Sequence, residues 1–285
     1  MTRRECNRIL LESLAPMLQM GPMCSSEELD DLMRLGITRD EAMEAVLLTQ
    51  MGFDMDSGLG KEIYRGYLPG MIRGCCAEMI VNDLYVQAVG KIEYTEGNKH
   101  LTMDTLDAFQ LFVRNDFEMD AQGRVLPQLG YFEKPVAFPV LLEDGFSWMS
   151  TEPNEVATLR PLAEQAHGRV VMMGLGLGYY AYHALLNADV SSVTVIERDE
   201  ETITLFEKAL LPVFPRKDCL KIVHADAFDY AQHMVNEYTA DTVLVDLWKT
   251  AGDGIELYTR MKQLETPGPK WQYWIEKTIQ YYLKG

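Results

Sequence analysis

Arg169-Val170-Val171-Met172-Met173-Gly174-Leu175-Gly176-Leu177-Gly178 is the stretch on which the reading of this chain turns. Four apolar residues run into three glycines at alternate positions, and the helix-compatible run 179–186 follows. That pattern spells a buried strand, a tight turn and a helix. Glycine suits such a turn because a side chain would keep the backbone away from a ligand and because the torsions required are costly for other residues. Spacing then narrows the ligand. A dinucleotide fingerprint needs its third glycine three residues after the second, and that position is Tyr179.

Downstream, strand and helix patterns alternate: strands at 169–173, 192–196, 220–223 and 242–245, with helices at 179–186, 200–210 and 230–238 between them. Short apolar strands separated by helices predict an α/β fold with a parallel sheet buried on both faces. Only about forty residues follow Asp246. One short strand at 271–275 and a closing helix at 276–283 fill them, so the sheet is expected to be abbreviated at its C-terminal side.

Upstream, Ser25-x-x-Glu28 and Thr38-x-x-Glu41 are capping-box patterns, each followed by spaced apolar residues. With helices expected at 8–20 and within 62–89, and one more at 104–112, residues 1–127 read as a mainly helical N-terminal domain. Two capped helices in succession admit a helix-turn-helix reading, but the acidic surface favours a plain helical hairpin. Glu143-Asp144-Gly145, between apolar runs at 136–142 and 146–150, is a β-hairpin signal. A helix at 154–166 then leads into the core, giving a second domain over 128–285.

An apolar share of 47% beside 24% charged residues is ordinary globular composition and excludes disorder. The net charge of −17 repels phosphate backbones, so no nucleic-acid partner is expected. No apolar run reaches the roughly 20 residues of a membrane span, no signal-peptide core opens the chain, and a cytoplasmic protein without a membrane partner is expected. Five cysteines fit neither a disulfide framework nor a zinc pair. The adjacent Cys75 and Cys76 read as two small buried residues on a helix. His183 and His224 have no metal-type partner, so no metal site is expected.

The chemistry gathers at strand ends, where open parallel sheets bind ligands. Glu197 follows its strand about twenty residues after the glycines, where an acid can accept both hydroxyls of a ribose. Asp226, followed by Ala227 and Phe228, ends the third strand, where an acid can accept an adenine amino group. Asp246 ends the fourth, followed by Leu247, Trp248 and Lys249. Any one acid at a strand end has a surface explanation; three in register after a glycine turn favour a ligand.

On these residues the chain resembles the spermidine-synthase-like branch of the class I S-adenosylmethionine-dependent methyltransferase superfamily. The likeness covers residues 136–260: the Glu143-Asp144-Gly145 hairpin, Asn154-Glu155, the Gly-x-Gly-x-Gly turn, Val195-Ile196-Glu197, Asp226-Ala227, and Asp246 followed by Gly252 and Leu257-Tyr258. Met172, where methyltransferases usually carry an acid, is similar to the spermidine-synthase branch. The resemblance implies a Rossmann-like domain with S-adenosylmethionine as cofactor. It gives the ribose to Glu197, the adenine to Asp226 and the backbone of Ala227 and Phe228, and the methionine moiety to Gly174, Gly176 and Gly178.

Two departures shape the expected activity. Aminopropyltransferases carry Tyr-His-Glu where this chain has Thr158-Leu159-Arg160, and a second acid where it has Lys249. Both changes set a positive side chain where a polyamine would need a negative one. The expectation is therefore methyl transfer to a small neutral or anionic acceptor, with aminopropyl transfer as the first alternative and a non-catalytic cofactor-binding protein as the second. Asp246, Trp248 and Lys249 are the candidates on the acceptor side. Trp248 has two readings of similar weight, stacking on the acceptor or shielding the sulfonium by cation–π contact, and packing under the following helix. A homodimer is expected, because a sheet that stops early leaves an edge to cover.

Overall fold

The computed structural model describes residues 2–54, 56, 58–234 and 240–284. The chain opens with four helices, α1 (Arg3–Met17), α2 (Ser26–Met33), α3 (Arg39–Gln50) and α4 (Gly58–Gly66), then strand β1 (Ile72–Gly74) and the short helices α5 (Glu78–Val81) and α6 (Leu84–Val89). Six strands follow: β2 (Tyr94–Glu96), β3 (Lys99–Leu106), β4 (Phe112–Met119), β5 (Val125–Tyr131), β6 (Val136–Glu143) and β7 (Phe146–Ser150). The remainder alternates: α7 (Pro153–Glu164), β8 (Gly168–Met173), α8 (Tyr179–Leu186), β9 (Val190–Glu197), α9 (Glu200–Leu205), β10 (Leu220–His224), α10 (Ala227–Met234), β11 (Thr242–Val245), α11 (Ala251–Lys262), β12 (Lys270–Tyr273) and α12 (Glu276–Leu283). The helix expected over 230–238 falls partly on residues 235–238, outside the described residues. Among the described residues no helix is long and apolar enough to cross a membrane.

Contacts divide the chain into two compact units, Met1–Val81 with Thr105–Ala137, and Asn82–Asp104 with Phe138–Gly285. The chain therefore passes between units three times. Residue 127 lies inside β5, and residues 82–104 group with the second unit.

In the first unit both expected capping boxes form. Glu28 N–H donates to Ser25 Oγ at 3.2 Å while Ser25 N–H donates to Glu28 Oε2 at 2.7 Å, and Thr38 with Glu41 repeats the exchange. Each box satisfies two backbone donors that a helix start leaves without partners. The helices bury Leu10, Leu29, Met43, Leu47 and Ile63 against a three-stranded sheet of order β1-β5-β4, which the sequence reading did not foresee. The helix expected at 104–112 does not form. Those residues end β3, turn at Asp107–Gln110, where Phe109 takes a φ of +60°, and enter β4. Sheet pairing overrides the weak helical pattern there. Cys75 and Cys76 lie in coil rather than on a helix, with Cys76 exposed, because the strand β1 breaks the helical run before them.

In the second unit five strands form an all-parallel sheet of order β10-β9-β8-β11-β12. The chain starts at the central β8, steps outward through β9 to β10, then returns to the other side of β8 as β11. This is the strand order of a Rossmann-like half, with its switch point between β8 and β11. Among the described residues β12 is the outermost strand on that side of the sheet. The hairpin β6–β7 turns on Asp144 (φ +52°) and Gly145 (φ +82°), the left-handed pair a two-residue turn needs. It belongs to a four-stranded sheet of order β2-β3-β6-β7.

Candidate active site

The carboxyl ends of the parallel strands open into one cavity of about 520 Å³. Its wall takes Gly174 to Gly178 from the loop after β8, Glu197 to Asp199 after β9, Ala225 to Phe228 after β10, Asp246 to Lys249 after β11 and Trp274 after β12. All ten residues singled out from the sequence therefore line the same space. That volume is within the range of small-molecule pockets.

The glycine turn closes tightly. Gly174, Gly176 and Gly178 have φ of +92°, +54° and +75°. A Cβ on Gly174 would stand 2.1 Å from the Asp246 carbonyl oxygen, and one on Gly176 would stand 2.5 Å from Met149 Sδ. Only glycine lets the turn pass between β11 and the hairpin strand β7.

Glu197 and Asp226 are already engaged by backbone. Glu197 Oε2 accepts Leu175 N–H at 2.9 Å, and Oε1 accepts the N–H groups of Arg198 and Asp199 at 2.8 and 2.9 Å. A carboxylate offers about four lone-pair sites, so one remains. Asp226 Oδ1 accepts Phe228 and Asp229 N–H at 2.8 and 3.1 Å, which makes this residue the start of α10 as well as a cavity wall. Ala227 and Phe228 are buried beside it, with the Arg260 guanidinium 3.9 Å from the Phe228 ring centre.

At the β11 end, Trp248 is 5% exposed and lies parallel to Tyr273 at 6.5 Å, and a Cβ on Gly254 of α11 would stand 2.8 Å from its ring. Packing under α11 thus accounts for its position. Its indole N–H is buried without a hydrogen-bond partner among the described residues. Lys249 is exposed, and its ammonium donates to the Ser147 carbonyl at 2.6 Å, 5.5 Å from the centre of the Trp148 ring. Arg160 does not line the cavity. It pairs with the buried Asp83 at 2.6 Å.

Asp83 shows what the sequence reading missed. It caps α6 through Tyr85 and Val86 N–H, and it accepts Tyr179 O–H at 2.8 Å with His183 Nε2 at 3.4 Å. Burial opposes its charge, but His183, Tyr179 and the Val86 N–H outweigh that and hold its pKa below the ordinary value. Tyr85 O–H in turn donates to the Leu177 carbonyl inside the glycine turn at 2.6 Å. His183 is buried, as a core role requires. Glu155, on the first turn of α7, and Lys99, on β3, also line the cavity. Glu155 entered the sequence reading only as part of the Asn154-Glu155 motif and without a role, and the only signal of Lys99 was a charged residue beside an apolar run, which is too common to single out.

No protein-family model matches this chain, and no curated protein does. Among solved structures it is similar to a protein described as a candidate S-adenosylmethionine-dependent methyltransferase from Streptococcus mutans, at 15% identity and a TM-score of 0.32, over 46% of this chain and 36% of that one. It is also similar to the spermidine synthase of Thermotoga maritima, at 14% identity and 0.36, over 58% of this chain and 69% of that one. A spermidine synthase in complex with the transition-state analogue AdoDATO gives 15% and 0.36, over 58% and 70%. The chain spans about a third of the length of the first of these. Likenesses this slight carry no function, which rests on the cavity itself.

The two carboxylates near the β11 end differ from the others. Asp246 has no hydrogen bond to its carboxylate among the described residues, and burial pushes its pKa up to about 7. Glu155 is raised well above the usual carboxylate value, chiefly by burial, then by the charges of Asp246 and Glu152, against one N–H from Ser150. A pair of this kind holds a proton near neutral pH and can take up or give one.

Proposed function

We propose that the second unit is an S-adenosylmethionine-dependent transferase that passes a methyl group to a small acceptor held against Asp246 and Glu155. The observation that carries this is the single cavity with two unlike ends: a glycine turn flanked by backbone-bonded acids, and a carboxylate pair short of donors. When bound, the cofactor supplies an electrophilic carbon on a sulfonium, whose leaving thioether is neutral, so positioning provides most of the rate. Glu197 keeps one lone pair for a ribose hydroxyl, Asp226 keeps Oδ2 for an adenine amino group, and the turn leaves backbone open to the methionine moiety. Asp246, with its pKa near 7, takes the acceptor's proton in its ionised form, and Glu155 stands beside it as the second carboxyl of the pair.

Acceptor charge is where the geometry alters the expectation. The argument for a neutral or anionic acceptor used Arg160 and Lys249. Arg160 is spent on Asp83, whereas Lys249 lines the cavity with one N–H on the Ser147 carbonyl, which leaves its charge uncompensated among the described residues. One of the two cations is thus withdrawn, which strengthens a second reading, aminopropyl transfer to an amine. Incubation with decarboxylated S-adenosylmethionine and putrescine separates them: efficient release of methylthioadenosine selects the second reading. Calorimetry with S-adenosylhomocysteine and with NAD tests both at once, and tight NAD binding with none of the sulfur nucleoside overturns both. A homodimer that covers the sheet edge belongs to this proposal; light scattering at 32.5 kDa would remove it.

A further inference from the structure

Lys99 is an unusual residue for a cavity wall. It is 3% exposed, on β3 of the hairpin sheet, and its ammonium lies 2.6 Å from Glu143 Oε1 and 2.9 Å from Asp199 Oδ2. All three residues line the cavity. Buried lysines are rare unless paired, and this one is paired twice, which uses two of the three N–H groups an ammonium carries. Asp199 is fixed as well: Oδ1 accepts Glu201 N–H at 3.2 Å, and Oδ2 accepts Thr202 O–H at 2.6 Å. Its own N–H is bound by Glu197. Lys99 is therefore linked through one residue, Asp199, to the acid assigned to the ribose, on the same wall.

Counting lone pairs gives the argument its force. A ribose edge offers two hydroxyls, each with a proton to donate and an oxygen to accept. Three of the four lone-pair sites of Glu197 are filled by Leu175, Arg198 and Asp199 N–H, so Glu197 can take one hydroxyl proton and not two. The ribose oxygens still need a donor. The backbone N–H groups of residues 198 and 199 are already spent on Glu197, and Thr202 O–H is spent on Asp199. The donors left on that side are the exposed guanidinium of Arg198, which also lines the cavity, and the third Lys99 N–H, which is buried and held in place by two acids.

We infer that Lys99 is a ligand-binding residue that completes the ribose clamp by donating a hydrogen bond to one ribose oxygen, while Glu197 accepts the proton of a hydroxyl. The inference rests on the nucleoside reading of the cavity. It also gives the hairpin sheet a function: β3 brings a buried cation to the cofactor, and Glu143 holds it in place.

The test is a double-mutant cycle between protein and ligand. S-adenosylhomocysteine and its 2′-deoxy and 3′-deoxy analogues are titrated by calorimetry into the wild-type chain, Lys99→Met and Lys99→Gln. The wild type should lose about tenfold in affinity on removal of the hydroxyl that faces Lys99. In Lys99→Met that penalty should vanish, with S-adenosylhomocysteine itself bound about tenfold more weakly than by wild type, and Lys99→Gln should recover part of both. A merely structural lysine would weaken all three ligands equally and leave each deoxy penalty at its wild-type size, which overturns the inference. Lys99→Met exposes two acids to loss of their partner, so Lys99→Gln carries the cycle should the methionine variant fail to fold. Wild-type protein that binds no S-adenosylhomocysteine would overturn the nucleoside reading instead, and with it this one.

Discussion

The two ends of the cavity hold acids of opposite character. At the end beside the glycine turn, Glu197 and Asp226 sit where a strand gives way to a turn, and backbone N–H groups converge on them. At the β11 end, the Asp246 carboxylate has no donor among the described residues, and burial raises its pKa to about 7. The same residue type is thus a fixed hydrogen-bonding post in one place and a carboxyl of raised pKa in the other. At Asp246 burial opposes the charge with no donor among the described residues to offset it.

The largest effect expected from breaking this contrast comes from the turn itself. Gly174→Ala would press a Cβ onto the Asp246 carbonyl at 2.1 Å with φ at +92°, and backbone cannot yield as a side chain can. Binding of S-adenosylhomocysteine should be lost, as it should for Gly176→Arg, which would drive its side chain into Met149. Calorimetry on the folded variants decides it, and affinity within tenfold of wild type for Gly174→Ala would detach the turn from the nucleoside.

Next comes the carboxyl of raised pKa. Asp246→Asn should lower kcat by about 10² to 10⁴ while S-adenosylhomocysteine affinity stays within about threefold. The wild-type rate should rise with pH through about 7 as the carboxylate deprotonates. Stability has the opposite slope. Because the folded-state pKa is raised from 3.8 to about 7, the folded chain binds more protons than the unfolded one between those values, and it loses stability as pH increases across that window. The Tm of Asp246→Asn should therefore fall less from pH 5 to pH 8 than that of the wild type. Equal slopes would show that Asp246 titrates normally.

Glu197→Ala should weaken cofactor binding by about 1–3 kcal/mol through loss of a charged hydrogen bond. Part of that loss should reflect a loosened turn, since Glu197 also holds Leu175. A variant with kcat reduced and affinity unchanged would move Glu197 away from the ribose. The smallest effect belongs to Lys249. Its exposed bond to the Ser147 carbonyl contributes about 0.5–1.5 kcal/mol at most, so Lys249→Asp should slow acceptor turnover only a few-fold and leave cofactor affinity nearly intact. Steady-state kinetics with the identified acceptor reads both.

What the sequence by itself determined was everything encoded over short spans. The run 169–186 specified strand, turn and helix; Asp144-Gly145 specified the hairpin; Ser25-x-x-Glu28 and Thr38-x-x-Glu41 specified helix starts; and three acids at or just past the ends of their strands marked the cavity wall. Each signal involves residues within a turn or two of one another, where backbone torsion and local hydrogen bonds dominate. Tertiary structure decided the rest. Arg160 sat at a position that suggested the acceptor, but Asp83, 77 residues away along the chain, takes its charge. Lys99 and Glu155 became wall residues only when hairpin and helix were brought to the sheet's carboxyl edge. The proton affinity of Asp246 was likewise illegible, because a pKa is set by the donors and water that packing removes, and neither is written in the residues beside it.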